Sequence, residues 1–172
     1  AGLAMGYAVD FNQTQYPFSA LPTNQRRGLF IGHGTTRPDN EWPDVNWLKL
    51  AEMAIAEGHP ILIPQSGARE NKRALSWVEK LGSQAELLPP MTLSELLPVM
   101  QSSLGSVCVD SGLGHLAIAL GLPVVQIFSQ PRIARAGPKG CKHQVAVGGA
   151  QAPDVDTVWQ AWKQVLAEES HS

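Results

Sequence analysis

The stretch VCVDSGLGHLAIALGLPVVQIF, residues 107–128, reads as strand, turn, helix and strand in succession. Val107–Val109 is apolar, Asp110–Gly114 is a polar turn with two glycines, Leu116–Leu120 is a short helical run, and Val124–Phe128 is apolar again. Short apolar strands joined through one helix form the parallel β-α-β unit. At the turn stand Asp110, Ser111, Gly112, Gly114 and His115. The first turn of a helix presents unpaired N–H groups and the positive end of its dipole, which attract an anion. Gly112 and Gly114 let a ligand approach that backbone. Ser111 can cap the helix or donate to a phosphate oxygen. Asp110 repels phosphate and suits sugar hydroxyls, and His115 can donate to a diphosphate. Equally, Asp110 and Ser111 can merely cap the helix while His115 faces water. The residues alone leave both readings open.

Two rival motifs are weaker. GLGHLA, residues 112–117, has the G-x-G-x-x-A form of a dinucleotide fingerprint, but the following strand, VVQIFSQ, ends without the acid that would take a ribose. A hydrolase nucleophile elbow needs glycine two positions before its serine, and that position is Val109.

The same alternation runs outward from this stretch. GLFIG (28–32) is a strand feeding the loop GHGTTRPDNEW, and Pro43 suits the first turn of a helix. Trp47, Leu48, Leu50, Ala51, Ala54 and Ile55 follow at helical spacing up to a stop at Gly58. HPILIP (59–64) is the next strand, QSGARE its loop, and Leu75, Val78 and Leu81 mark a second helix ended by Gly82. AELL (85–88) is a brief strand. Thr92 and Glu95 have capping-box spacing for a helix from Leu93, which Pro98 should kink or shorten. Residues 132–142 form a basic glycine-rich loop, HQVAV (143–147) a last strand, and Val155 to Leu166 an amphipathic helix capped by Asp154. The expectation is an α/β fold, a Rossmann-like parallel sheet with helices on both faces. Ligands of such sheets bind beyond the carboxyl ends of the strands. The polar loops 32–41, 64–70 and 110–115 should therefore converge on one edge.

With 172 residues, 44% of them hydrophobic and 16% charged, the chain suits one packed domain. A net charge of −2 makes no case for nucleic acid or an anionic membrane. Cys108 and Cys141 are too few for a disulfide framework, and the five histidines have no metal-site spacing, so no metal is expected. The longest apolar run, Leu116–Phe128, is broken by Gly121, Pro123 and Gln126 and is too short to span a bilayer. Residues 11–27 are polar with two prolines and read as a linker. The opening AGLAMGYAVD has neither an initial Met nor a signal-peptide pattern, so a piece of a longer protein is expected.

The other two loops carry further candidates. Thr35 and Thr36, with the amides around them, suit phosphate oxygens; the alternative is a capping loop with Trp42 packed beneath it. Glu70 can accept both hydroxyls of a ribose, or is simply favoured by the helix dipole. Met91 is core or contact.

In combination, GTTRPDNEWPDVNWLKL, IPQSGARENKR, LPPMTLSELL and the opening stretch resemble the C-terminal half of the type I lipopolysaccharide heptosyltransferases, in glycosyltransferase family 9. The likeness runs from about Leu29 to the final helix. It implies the C-terminal lobe of a two-lobed GT-B glycosyltransferase, with residues 1–27 connecting the lobes and 28–172 binding the nucleotide sugar. The reaction implied is inverting transfer of L-glycero-D-manno-heptose from ADP-heptose to the Kdo-lipid A core. By position, Thr35 and Thr36 would meet the diphosphate, Glu70 the ribose and Met91 the adenine. Asp110 would take heptose hydroxyls, and Ser111, Gly112 and His115 the remaining phosphate and sugar contacts. The family pattern commonly has a lysine near Asn40; Arg37 or a basic residue of 132–142 such as Lys139 would have to replace it. The resemblance places the catalytic base and the lipid-linked Kdo acceptor on the N-terminal lobe, so this region alone would be inactive. It implies no cofactor beyond the donor itself, and a cytoplasmic protein peripheral to the bacterial inner membrane. A non-catalytic nucleotide-binding module, or a family member with another acceptor, are the alternatives.

Overall fold

The computed structural model describes residues 25–139 and 141–169. The stretch 107–128 lies within β4 (Gly105–Val109), α4 (Gly112–Ala119) and β5 (Val124–Phe128). Before it come β1 (Leu29–Gly32), α1 (Asp44–Ala56), β2 (Ile61–Ile63), α2 (Gly67–Leu81), β3 (Ala85–Leu87) and α3 (Leu93–Ser102). After it come α5 (Ile133–Ala136), β6 (Gln144–Gly148) and α6 (Val155–Glu169). The six strands form one sheet in the order β3-β2-β1-β4-β5-β6, and every pairing is parallel. This is the doubly wound arrangement predicted from the sequence.

Strand order follows from where each helix packs. One core joins α1, α2 and α6 to the sheet through Trp47, Leu50, Ala74, Trp77, Val158 and Trp162. The other joins α3 and α4 through Leu96, Met100, Ala117 and Leu120, against Phe30 and Val124. The chain therefore winds outward from β1 on one face, crosses back over the other, and lays β4 against the free side of β1. Leu29 pairs with Gly105 and Gly32 with Cys108. Cys108 is buried, its thiol pushed up to about 11 by burial, and it packs as the small apolar residue its strand position suggested.

Three local expectations need adjustment. In α2 the buried residues are Ala74 and Trp77, with Val78 and Leu81 packed beside them; Leu75, expected inside, is 53% exposed. The larger indole takes the core position and turns Leu75 outward. Pro98 sits inside α3, yet the helix runs on to Ser102. Its start is secured by the Thr92–Glu95 capping box, and Leu96 and Met100 are buried on either side of the proline. The basic loop 132–142 contains the one-turn helix α5.

Most of the expected linker, residues 11–24, lies outside the described residues. Arg26 and Arg27 at its end are built into the domain. Arg26 is buried against Glu169 of α6, and the Arg27 amide donates to the Ser102 carbonyl at 2.8 Å. Asp154 caps α6 as expected, accepting from the Thr157 amide at 2.7 Å. Among the described residues no helix is long and apolar enough to cross a membrane.

Candidate functional site

Because β1 and β4 are neighbours whose following helices leave to opposite faces, a crevice opens at their carboxyl ends. A cavity of about 660 Å³ fills it. The β1–α1 loop lines it with Gly34, Thr35, Thr36, Arg37 and Asn40; the β2–α2 segment with Pro64, Gln65, Ser66 and Glu70. From the far face come Met91, Leu93 and Leu96, and from the β4–α4 turn Asp110, Ser111, Gly112, Leu113 and His115. Thr35, Thr36, Arg37, Glu70, Met91, Asp110, Ser111, Gly112 and His115, all named from the sequence, lie on this one wall.

At the α4 end the wall is built from a helix N-terminus and three polar side chains. Ser111 is the N-cap, its Oγ accepting from the Gly114 amide at 3.4 Å, so the capping reading of this serine is realised. A cap uses the lone pairs of Oγ and leaves its hydrogen free to donate. A Cβ on Gly112 would meet nothing within 4 Å, whereas one on Gly114 would press on the Val109 carbonyl at 3.0 Å. Gly114 thus serves helix–strand packing, and Gly112 leaves the helix mouth open.

Asp110 is largely buried, with a side chain 11% exposed. Its Oδ1 faces His115 Nε2 at 3.4 Å, and its Oδ2 accepts from Asn40 Nδ2 at 3.3 Å. His115 therefore turns toward the acid, though half of it remains in water. Asn40 Nδ2 also donates to the Asp110 carbonyl at 3.1 Å.

Glu70 lies in the first turn of α2, where Oε2 accepts from the Ser66 amide at 2.9 Å. That is the helix-decoration reading, and it coexists with a place on the cavity wall. Oε1 lies against Gly34: a Cβ there would stand 2.3 Å from it. Thr35 Oγ1 accepts from the Arg37 amide at 3.2 Å, which folds the loop back on itself. Behind the loop, Trp42 packs edge-on against Trp47 with centroids 5.0 Å apart and donates to the Pro153 carbonyl at 2.8 Å.

Other residues shape the site in ways the sequence did not indicate. Asn40 looked like the loss of a cation; it is buried and links loops 70 positions apart. The basic residue that reaches it is Arg132, which donates to Asn40 Oδ1 at 3.2 Å and to Asp39 at 2.9 Å. Arg37 lines the cavity and Lys139 does not. His33, at the end of β1, is buried and donates through Nε2 to the Pro64 carbonyl at 2.9 Å. Burial brings its pKa down to about 4, so near neutral pH it is an uncharged strut between the first two loops. Among the described residues no cluster of three or more His, Cys, Asp and Glu groups forms a metal site.

The sequence profile of glycosyltransferase family 9 (heptosyltransferase) matches residues 3–160. Lipopolysaccharide heptosyltransferase 1 of Pseudomonas aeruginosa is 34% identical over 120 residues, which is 70% of this chain and 33% of that protein. The fold superposes on the E. coli heptosyltransferase WaaC solved with ADP at a TM-score of 0.80 and 27% identity, covering 95% of this chain and 53% of that one. The same enzyme with ADP-2-deoxy-2-fluoro heptose gives 0.74 and 27%, over 98% and 53%. The chain thus spans about a third of the curated relative and about half of the solved one.

Proposed function

Because the chain belongs to glycosyltransferase family 9, the heptosyltransferases, we propose that residues 28–172 are the donor-binding C-terminal lobe of an inverting GT-B heptosyltransferase. The donor is ADP-heptose and the acceptor the Kdo-lipid A core of lipopolysaccharide, met by the other lobe at the inner face of the bacterial inner membrane. Residues up to Arg27 connect the lobes. The observation that carries this reading is the cavity at the β1/β4 crevice, which gathers a helix mouth, a threonine loop, two carboxylates and an apolar shelf.

Each part suits a different portion of the donor. The α4 N-terminus, Ser111, Thr35 and Thr36 take the diphosphate oxygens, aided by Arg37 and His115. Glu70 accepts from the ribose hydroxyls, and Met91 lies along the adenine. Asp110, beside the helix mouth, accepts from heptose hydroxyls. In the reaction the acceptor hydroxyl attacks the anomeric carbon as the bond from that carbon to the β-phosphate oxygen breaks. ADP leaves with the bonding electron pair, and the hydroxyl proton passes to a base on the other lobe. The part of residues 28–172 is electrostatic: fixed N–H groups and cations meet the charge that grows on the departing diphosphate.

Titration calorimetry with ADP, ADP-heptose, UDP and NAD tests the reading. ADP should bind at millimolar to micromolar Kd and UDP at least roughly tenfold more weakly, about 1.4 kcal/mol. Equal affinity for ADP and UDP removes Glu70 and Met91 from the adenosine site.

A further inference from the structure

We propose that Arg132 is a positioning residue of the donor site: acting through Asn40, it fixes how the Asp110 carboxylate meets the donor's sugar. The proposal rests on the donor-site reading above. It begins from the buried Asn40 amide, which is 2% exposed and used at both ends. Its Oδ1 accepts from Arg132 Nη1 at 3.2 Å, and its Nδ2 donates to the Asp110 carbonyl at 3.1 Å and carboxylate at 3.3 Å.

An asparagine amide can point either way, and here chemistry decides the direction. A guanidinium only donates, and a carboxylate only accepts. Flipped, the amide would set N–H against N–H at Arg132 and oxygen against oxygen at Asp110. Arg132 and the two Asp110 acceptors therefore agree on which end of Asn40 meets the acid. Without Arg132 the buried Asn40 oxygen loses its donor, the amide is anchored at one end only, and the direction from which it meets the carboxylate is less firmly fixed. With His115 3.4 Å from Oδ1, each carboxylate oxygen is held from its own direction, one of them from a different loop. Asp110 also lines the cavity, so a sugar hydroxyl there would meet a carboxylate whose position these contacts set.

The linkage ties together the loops after β1, β4 and β5, with Arg132 and Asn40 92 positions apart. Its outer contact, Arg132 to Asp39 at 2.9 Å, joins side chains 25% and 46% exposed. Ion pairs this wet add little to stability. Arg132 also lies outside the cavity wall, so its reach into the site passes through Asn40.

Calorimetry on the full chain with ADP and ADP-heptose tests this, using Arg132→Ala, Asn40→Ala, the double variant and Arg132→Lys. Arg132→Ala should weaken ADP-heptose about tenfold and change ADP less than twofold. The double variant should be no worse than Asn40→Ala alone, because the first residue acts through the second. Arg132→Lys, a donor without acceptors, should recover part of the loss. Independently of any ligand, the Asn40 side-chain amide signals in a ¹H–¹⁵N spectrum should move in Arg132→Ala and move back toward wild type in Arg132→Lys. Equal weakening of ADP and ADP-heptose, additive losses in the double variant, or an unmoved Asn40 signal each overturn the proposal. Failure of the wild-type chain to bind either nucleotide sinks the donor reading instead, and the amide signals then decide whether Arg132 orients Asn40.

Discussion

Replacing Gly34 with alanine would probe the ribose assignment without touching Glu70 itself. Gly34 has no positive φ, so alanine fits the backbone. The new Cβ would stand 2.3 Å from Glu70 Oε1 and 2.6 Å from its Cδ, against the 3.4 Å where ordinary contact begins. The carboxylate, being the end of a flexible side chain, retreats by about 1 Å rather than the loop opening. That movement stretches the 2.9 Å bond from the Ser66 amide, a loss of about 1 kcal/mol for a partly exposed hydrogen bond. For a domain of this size the melting temperature should fall by about 2–4 °C. Binding should suffer more. Two ribose hydroxyls meeting one displaced carboxylate forfeit about 0.5–1.5 kcal/mol each, so ADP should bind on the order of tenfold more weakly. Calorimetry and thermal melts on Gly34→Ala, Glu70→Ala and the pair give a closed cycle. Once Glu70 is truncated the clash has no partner, and adding Gly34→Ala should cost nothing further. Wild-type ADP affinity in Gly34→Ala would refute the Glu70 assignment; additive losses would give Gly34 a role of its own.

Three further outcomes follow from local geometry. His33 has a folded pKa near 4, below its unfolded value of 6.5, so the unfolded chain binds the extra proton between these values and stability falls as pH drops through that window. The loss should approach about 3 kcal/mol by pH 4, and urea titrations of His33→Gln should show a shallower decline there. Gly112→Ala should leave the melting temperature unchanged, because its Cβ meets nothing, yet weaken ADP at least tenfold by crowding the helix mouth. Gly148→Ala should do the opposite: at φ +94 and 2.1 Å from the Phe128 carbonyl it should destabilise by about 3 kcal/mol or more, as circular dichroism melts would report. A Gly112→Ala chain with intact ADP affinity would remove the close backbone approach from the site.

What was legible in the sequence was whatever local periodicity encodes. The strand–helix alternation, the Thr92–Glu95 and Asp154 caps and the convergence of three loops all depend on residues a few positions apart. The candidate site residues were legible because each sits just past a strand, where a doubly wound sheet must deliver it. Two kinds of feature were not. Asn40 and Arg132 communicate across 92 positions, and no spacing rule connects an asparagine in one loop to an arginine in another. Glu70 posed a false choice, since one oxygen caps α2 while the other lies toward the loop that lines the cavity. Leu75 misled because helical spacing identifies a face without saying which large side chain, Leu75 or Trp77, wins the interior.

The sheet order has a kinetic consequence. The central strand β1 is among the first segments of the domain to be made, yet its partner on one side arrives late: Phe30 and Ser106, whose hydroxyl donates to the Phe30 carbonyl, are 76 positions apart. At synthesis rates of about 5–20 residues per second, β1 waits roughly 4–15 s for β4 to leave the ribosome. Until then the edge of β1 that will pair with β4 presents unpaired N–H and C=O groups, and the crevice does not exist because one of its walls is unmade. Long-range parallel pairing is intrinsically slow, since the intervening loop must be closed before any contact rewards it. The nascent chain should consequently acquire protection from protease in two stages, and competence to hold a nucleotide only in the second.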